Sequence, residues 1–241
     1  MNIGDVYINY IRYGNKLGKK IVLLHGWGQN IEMMRPVGDA FSKTHEIIIL
    51  DLPGYGNSSE PKSVWTVFDY ADVIHEFLKT LKIDNPILMG HSFGGKISLY
   101  YASKYSVEKL VLFASPYRKE LKKVPVKVKV LKTLKKVPVL NKLEGFAKKH
   151  IGSTDYKNAS PMMRDILVKT VNLDITEHVK KIKCPTLIFG GTMDQAVNIK
   201  SAYELEELIK DSGLIVYEGT HYAYLEFLPQ VVSVLKTFLK N

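Results

Sequence analysis

"PILMGHSFGGKISLYYA", residues 86–102, decides the reading of this chain. It begins as an apolar run of strand length and ends with helical spacing, and it places a histidine, a serine and two consecutive glycines at the join. Within it Gly90 to Gly94, "GHSFG", fits G-x-S-x-G, the pattern of a sharp strand-to-helix turn that holds a serine oxygen out into a cleft. Such a turn needs neighbours without a Cβ, which would collide with the facing strand or helix. Gly90 and Gly94 supply that clearance, and the helix starting nearby aims its positive end at developing negative charge. Ser92 is therefore the candidate nucleophile.

A serine hydroxyl is a weak nucleophile at neutral pH and needs a base, itself oriented by an acid. Seven histidines compete for the first role. His221, in "IVYEGTHYAYLE", falls in a loop just after the last strand-like run, at the edge where the serine turn also emerges. His25 and His91 flank glycines at other strand ends and read as loop-shaping residues. His45, His75, His150 and His178 read as surface or helix residues. With chain order serine, acid, histidine, the acid lies between Ser92 and His221. Asp194 in "LIFGGTMDQAV" sits just beyond a strand, whereas Asp165, Asp174 and Asp211 occupy helical or turn contexts. Asp51, in "DLPGYGNS", precedes the serine and reads as a turn-former that satisfies backbone amides.

Outward from this stretch, short β-branched runs alternate with longer amphipathic ones, the pattern of a mostly parallel sheet flanked by helices. The strands expected are "VYINYIRYG", "KIVLLHG", "EIIILDL", "NPILMGH", "KLVLFAS", "PTLIFGG" and "GLIVYEG". Between them "VFDYADVIHEFLKTLKI" and "AYELEELIKD" read as helices, and "QVVSVLKTFLKN" as the last one. The alternation fails from Tyr117 to Lys183, where "VLKTLKKV", "NKLEGFAKKH", "SPMMRDILVKT" and "DITEHVKKI" read as helical pieces and "VPVKVKV" is ambiguous. Residues 117–183 are thus expected to be a helical insertion, and 1–116 with 184–241 a single core.

The whole set of motifs resembles the α/β-hydrolase superfamily. "LLHGWGQN" matches that family's His-Gly loop, "DLPGYGNSS" its D-x-P-G-x-G-x-S segment, "GHSFGG" its serine turn, "PTLIFGGTMDQAV" its acid loop and "GTHYAYLE" its histidine loop. The resemblance implies the α/β-hydrolase fold with the insertion as a helical cap or lid. It implies an oxyanion hole made of the Trp27 and Phe93 backbone N–H groups, and a serine hydrolase of small or medium acyl esters working through an acyl-enzyme. A carbon-carbon bond hydrolase or lactonase with the same triad is the alternative, and a small-ligand receptor retaining the triad is the alternative of another class. Related branches carry aspartate or cysteine in place of Ser92. Met33, Tyr117, Phe146, Met162, Met163, Val197 and Tyr222 are candidates for the substrate pocket.

The 241 residues carry a net charge of +10. Its distribution matters more than its size. From Arg118 to Lys149 one arginine and eleven lysines face two glutamates, so that segment alone accounts for the charge. It lacks the interleaved glycine and aromatic residues of RNA-binding modules, which argues against a nucleic-acid partner. A solvated outer face of the cap, or a weak contact between this cap and an anionic membrane, are the readings it leaves. No cofactor or metal is called for, and the expected partner is a small apolar ester. The amino terminus has no signal-peptide pattern and no apolar run reaches membrane-spanning length, so a cytoplasmic location is expected. The lone Cys184 excludes an internal disulfide and reads as a packing residue at a strand entry.

Overall fold

The computed structural model describes residues 1–119 and 159–240. Two short strands, β1 (Asn2–Ile3) and β2 (Val6–Tyr7), form a hairpin at the amino terminus. The main sheet contains β3 (Tyr10–Gly14), β4 (Lys20–Leu24), β5 (Glu46–Leu50), β6 (Ile87–His91), β7 (Lys109–Phe113), β8 (Thr186–Gly191) and β9 (Ser212–Tyr217). Their spatial order is β3-β5-β4-β6-β7-β8-β9; β3 runs antiparallel to β5 and every other neighbouring pair is parallel. All six parallel strands therefore end on one edge, and the loops that follow them share it.

Among the described residues the helices are α1 (Ile31–Asp39), α2 (Val67–Thr80), α3 (Phe93–Lys104), α4 (Pro161–Asn172), α5 (Thr176–Val179), α6 (Ile199–Leu208), α7 (Ala223–Glu226) and α8 (Leu228–Lys240). In four of them the residue at the N-cap accepts a free backbone N–H with its side chain: Asn30 for α1, Thr66 for α2, Ser160 for α4 and Asn198 for α6. Thr66 and Asp69 make a reciprocal capping box, in which each side chain accepts a backbone N–H at the helix start.

The central strands are nearly all apolar because both faces are covered. Alternate residues go to opposite sides. Val22, Leu24, Ile48, Leu50, Leu88, Leu110 and Leu112 pack with Ile74, Phe77 and Ile97 of α2 and α3. Ile21, Leu23, Ile47, Ile49, Ile87, Met89 and Val111 pack with Val37 of α1 and with Val231 and Leu235 of α8. Each such side chain contributes about 1.5 to 3 kcal/mol by leaving water.

Two expectations are corrected by tertiary contacts. "VYINYIRYG" is not one strand: it breaks at Ile8 and Asn9. Asn9 is tied to the loop after β5, its Nδ2 donating to Asp51 Oδ2 at 2.8 Å and its N–H to Ser58 Oγ at 2.9 Å. "DITEHVKKI" contains only the one-turn α5, which starts where Asp174 Oδ1 accepts the Thr176 N–H at 2.9 Å. Between β7 and β8 the described residues include α4 and α5, joined and flanked by irregular backbone. The ambiguous "VPVKVKV", the lysine-rich pieces, His150 and Phe146 lie outside the described residues. Among the described residues no helix is long and apolar enough to cross a membrane.

Candidate active site

Ser92 follows β6 directly and precedes the first residue of α3, with φ 50° and ψ −110°. That backbone is strained for a residue with a Cβ and persists only where its surroundings over-determine it. Here they do: the Ser92 N–H donates to Phe113 O at 2.9 Å and its carbonyl accepts the Lys96 N–H at 2.9 Å. The two glycines are required by close approach. A Cβ on Gly90 would meet Gly94 O and Ser98 Oγ at 2.6 Å, and one on Gly94 would run into Leu24 O and into His25 O at 2.5 Å. The Gly94 N–H donates to His25 O at 3.1 Å, which docks the start of α3 on the loop after β4.

His221 and Asp194 come from the loops after β9 and β8. His221 Nδ1 lies 2.7 Å from Asp194 Oδ2, with the Asp194 side chain 2% exposed and that of His221 17% exposed. A carboxylate only accepts, so Nδ1 carries the proton and Nε2 is left as an acceptor. The other carboxylate oxygen, Oδ1, accepts the Ala196 and Val197 N–H groups at 2.7 and 2.9 Å. The two loops are laced together by Thr192 N–H to Tyr217 O and Met193 N–H to Gly219 O, both 2.9 Å. Glu226 accepts the Thr220 N–H at 2.9 Å and so fixes the approach to His221.

Among the described residues the Ser92 hydroxyl makes no hydrogen bond, and its link to His221 runs through its neighbour. His91 Nε2 lies 3.0 Å from His221 O, and the two rings are 4.8 Å apart. Trp27 stands in the loop after β4 and Phe93 opens α3; their rings meet edge to face at 5.2 Å, and Tyr55 and Tyr70 extend this aromatic group. Among the pocket candidates, Tyr222 is 40% exposed and its ring lies 5.6 Å from that of His221. Met163 is buried in the cluster that holds Phe93 and Tyr55, and its thioether fills the space above Gly54. Met162, next to it on α4, is half-buried against the same cluster. Val197 lines a small cavity of about 10 Å³ with Asp194. Met33 is half-buried on α1, its carbonyl accepting the Tyr224 hydroxyl at 3.1 Å. Tyr117 is buried, its hydroxyl donating to Glu204 at 2.6 Å.

The other titratable residues have structural tasks. Asp51 is buried and accepts the Ile31 and Asn57 N–H groups at 2.8 and 2.9 Å. Asp165 and Asp211 are exposed. His75 stacks on Tyr105 at 3.8 Å, and His178 packs against Phe68 and Tyr100. Burial pushes the Cys184 thiol up to about 11, so it stays protonated at neutral pH. Lys96, singled out by no sequence pattern, is buried and donates to Thr170 O and Leu173 O at 2.8 and 2.5 Å, which fastens the end of α4 to α3. Gln29 and Tyr55 were likewise not legible, since each is a single polar or aromatic residue in a glycine-containing loop.

His25 and His91 are fully buried. Burial pulls His25 down to about 4 and His91, with the nearby His221 adding to the effect, down to about 3. Both bind a proton less tightly folded than unfolded, so their contribution to stability is full above the ordinary value of 6.5 and is lost as pH falls through 4 and 3. Between pH 7 and pH 5 urea titrations should show a loss of about 2 kcal/mol for each histidine. His91→Gln should make that pH-dependent loss smaller by about 2 kcal/mol. An undiminished loss in the variant would contradict the assignment of His91 as a buried neutral imidazole.

A strained serine between strand and helix, with a histidine-carboxylate pair at the same sheet edge, defines the class of α/β-hydrolase-fold proteins. The comparisons agree. A family model described as alpha/beta hydrolase fold matches residues 19–125. The chain is similar to the AB hydrolase superfamily protein YisY of Bacillus subtilis, 25% identical with 92% of this chain and 91% of that one covered. It is similar also to the pimeloyl-[acyl-carrier protein] methyl ester esterase of Aliivibrio fischeri, 26% identical with 93% and 95% covered. The crystal structure of the enol-lactonase from Burkholderia xenovorans LB400 superposes with a TM-score of 0.75 at 22% identity, covering 99% of this chain and 98% of that one. The chain has the α/β-hydrolase fold.

Proposed function

We propose that this hydrolase-fold protein is a serine hydrolase of small or medium acyl esters. The observation that carries the reading is the 2.7 Å contact of His221 with the buried Asp194, at the same sheet edge as the strained Ser92. Ser92 Oγ attacks the ester carbonyl carbon while His221 Nε2 takes its proton. Asp194 holds the tautomer and stabilises the imidazolium that forms. The carbonyl oxygen becomes an oxyanion and is held by the Trp27 and Phe93 N–H groups, each such donor worth roughly 3 to 4 kcal/mol in the transition state. Collapse breaks the bond to the alcohol oxygen, which leaves with the proton from His221. Water, deprotonated by His221, then cleaves the acyl-enzyme and restores Ser92. The methyl ester esterase among the relatives supports ester chemistry. Trp27, Tyr55, Phe93 and Met163 supply apolar surface suited to an acyl chain.

A panel of p-nitrophenyl esters of increasing chain length tests this. Turnover is expected, with kcat/KM rising from acetate to medium chains as apolar contact grows by about 0.8 kcal/mol per buried methylene, and then falling. Folded protein that hydrolyses none of them would remove the proposal.

A further inference from the structure

The Gly26–Trp27 peptide is held from several directions. The Gly26 carbonyl accepts from His25 Nδ1 at 2.7 Å and from the Gln29 N–H at 3.3 Å. The Gly26 N–H donates to the side chain of the same glutamine, Oε1, at 2.9 Å. Gly28 has φ +70°, the conformation that a type II turn needs at its third residue. A trans peptide is planar with its carbonyl and N–H on opposite sides, so fixing the Gly26 oxygen fixes the direction of the Trp27 N–H.

Gln29 reaches further. Its Oε1 also lies 3.1 Å from His91 Nδ1, and its Nε2 donates to the Tyr222 hydroxyl at 3.3 Å. The amide orientation is settled by chemistry, since the Gly26 N–H can only donate and must face the oxygen. One side chain therefore touches the loop after β4, the residue before Ser92 and the residue after His221. The packing is tight: a Cβ on Gly26 would meet His91 Nδ1 at 2.8 Å and Gln29 Oε1 at 3.0 Å.

We propose that Gln29 is a positioning residue: it aims the Trp27 N–H and fastens that loop to the His221 loop through His91 and Tyr222. The catalytic part rests on the reading of Trp27 as an oxyanion donor; the coupling of the two loops does not. Neutral His91 has one proton for two oxygen neighbours, Gln29 Oε1 and His221 O, so one contact is without a hydrogen. A carboxylate at position 29 would accept the Gly26 N–H as well and draw a second proton onto His91. The other titratable groups acting on His91 are His221, Asp194 and His25.

The test compares wild type, Gln29→Leu and Gln29→Glu with p-nitrophenyl acetate, with urea midpoints to verify folding. Misplacing one oxyanion donor should lower kcat roughly 10²-fold in Gln29→Leu and leave KM nearly unchanged, because the interaction belongs to the transition state. Gln29→Glu keeps the acceptor and should recover kcat to within about tenfold of wild type. In Gln29→Glu the His91 imidazole signals should titrate at a higher pH than in wild type. Hydrogen exchange reads the coupling without any substrate: Gln29→Leu should speed exchange in residues 24–30 and 219–223 but not in β4 or β9. Unchanged exchange in 219–223 overturns the coupling. Faster exchange with unaltered kcat overturns the catalytic part. Equal losses of kcat in the Leu and Glu variants would reduce Gln29 to a packing residue. Should the wild type turn over no ester, the reading under Proposed function fails while the exchange result still decides the coupling.

Discussion

Ser92→Ala is expected to lower turnover of any ester substrate by about 10⁴-fold or more while the fold remains intact. On the proposed mechanism the attacking atom is lost, but little else is. Among the described residues the Ser92 hydroxyl has no hydrogen bond to lose, and alanine at φ 50° bears the same Cβ strain that serine already bears. Urea midpoints of the two proteins should therefore agree within about 0.5 kcal/mol of unfolding free energy. A fluorophosphonate probe should label wild type at Ser92 alone and leave the alanine variant unlabelled. A folded variant retaining a tenth of the activity, or labelling at another serine, would place the nucleophile elsewhere. Ser92 is half-buried.

The serine turn was legible because sterics leave it few spellings. Gly90 and Gly94 stand where backbone oxygens of Gly94, Leu24 and His25 pass within van der Waals contact, and no other residue fits there. Asp194 and His221 were legible for a topological reason: in a parallel sheet, residues just past strand ends converge on one edge, whatever their separation along the chain. The break at Ile8 and Asn9 was hidden, because Asn9 is pulled from the sheet by Asp51 and Ser58, 42 and 49 residues away, and alternation continues through it. Gln29 was hidden in the same way. Its partners His91 and Tyr222 are 62 and 193 residues distant, and a single amide leaves no periodic trace. Lys96 reads as a helix surface lysine, and only the folded chain shows it buried beneath the end of α4. What sequence conveys well is backbone sterics and strand ends; what it conveys poorly is side-chain bonding across long separations.

Asp194→Asn is expected to lower kcat by about 10³- to 10⁴-fold, and the surrounding hydrogen bonds explain why so similar a residue fails. Asp194 Oδ1 accepts two backbone donors, Ala196 N–H and Val197 N–H, at 2.7 and 2.9 Å. An asparagine must present its one oxygen to those donors, since an amide nitrogen cannot accept. Its Nδ2 then faces His221 Nδ1, which must become the acceptor. The ring proton moves to Nε2, and in the proposed mechanism a base that already holds its proton there cannot take another from the serine. Because the turn at residues 194–197 keeps both backbone bonds, the loop and the fold should survive, and urea midpoints should verify that. Asp165→Asn and Asp174→Asn are the controls: the first is exposed on α4 and the second only starts α5 through Thr176. Each should leave p-nitrophenyl ester turnover within about threefold of wild type, as surface changes away from the reacting atoms do. If either control proved the damaging change while Asp194→Asn retained full turnover, the acid would have to be sought outside the loop after β8.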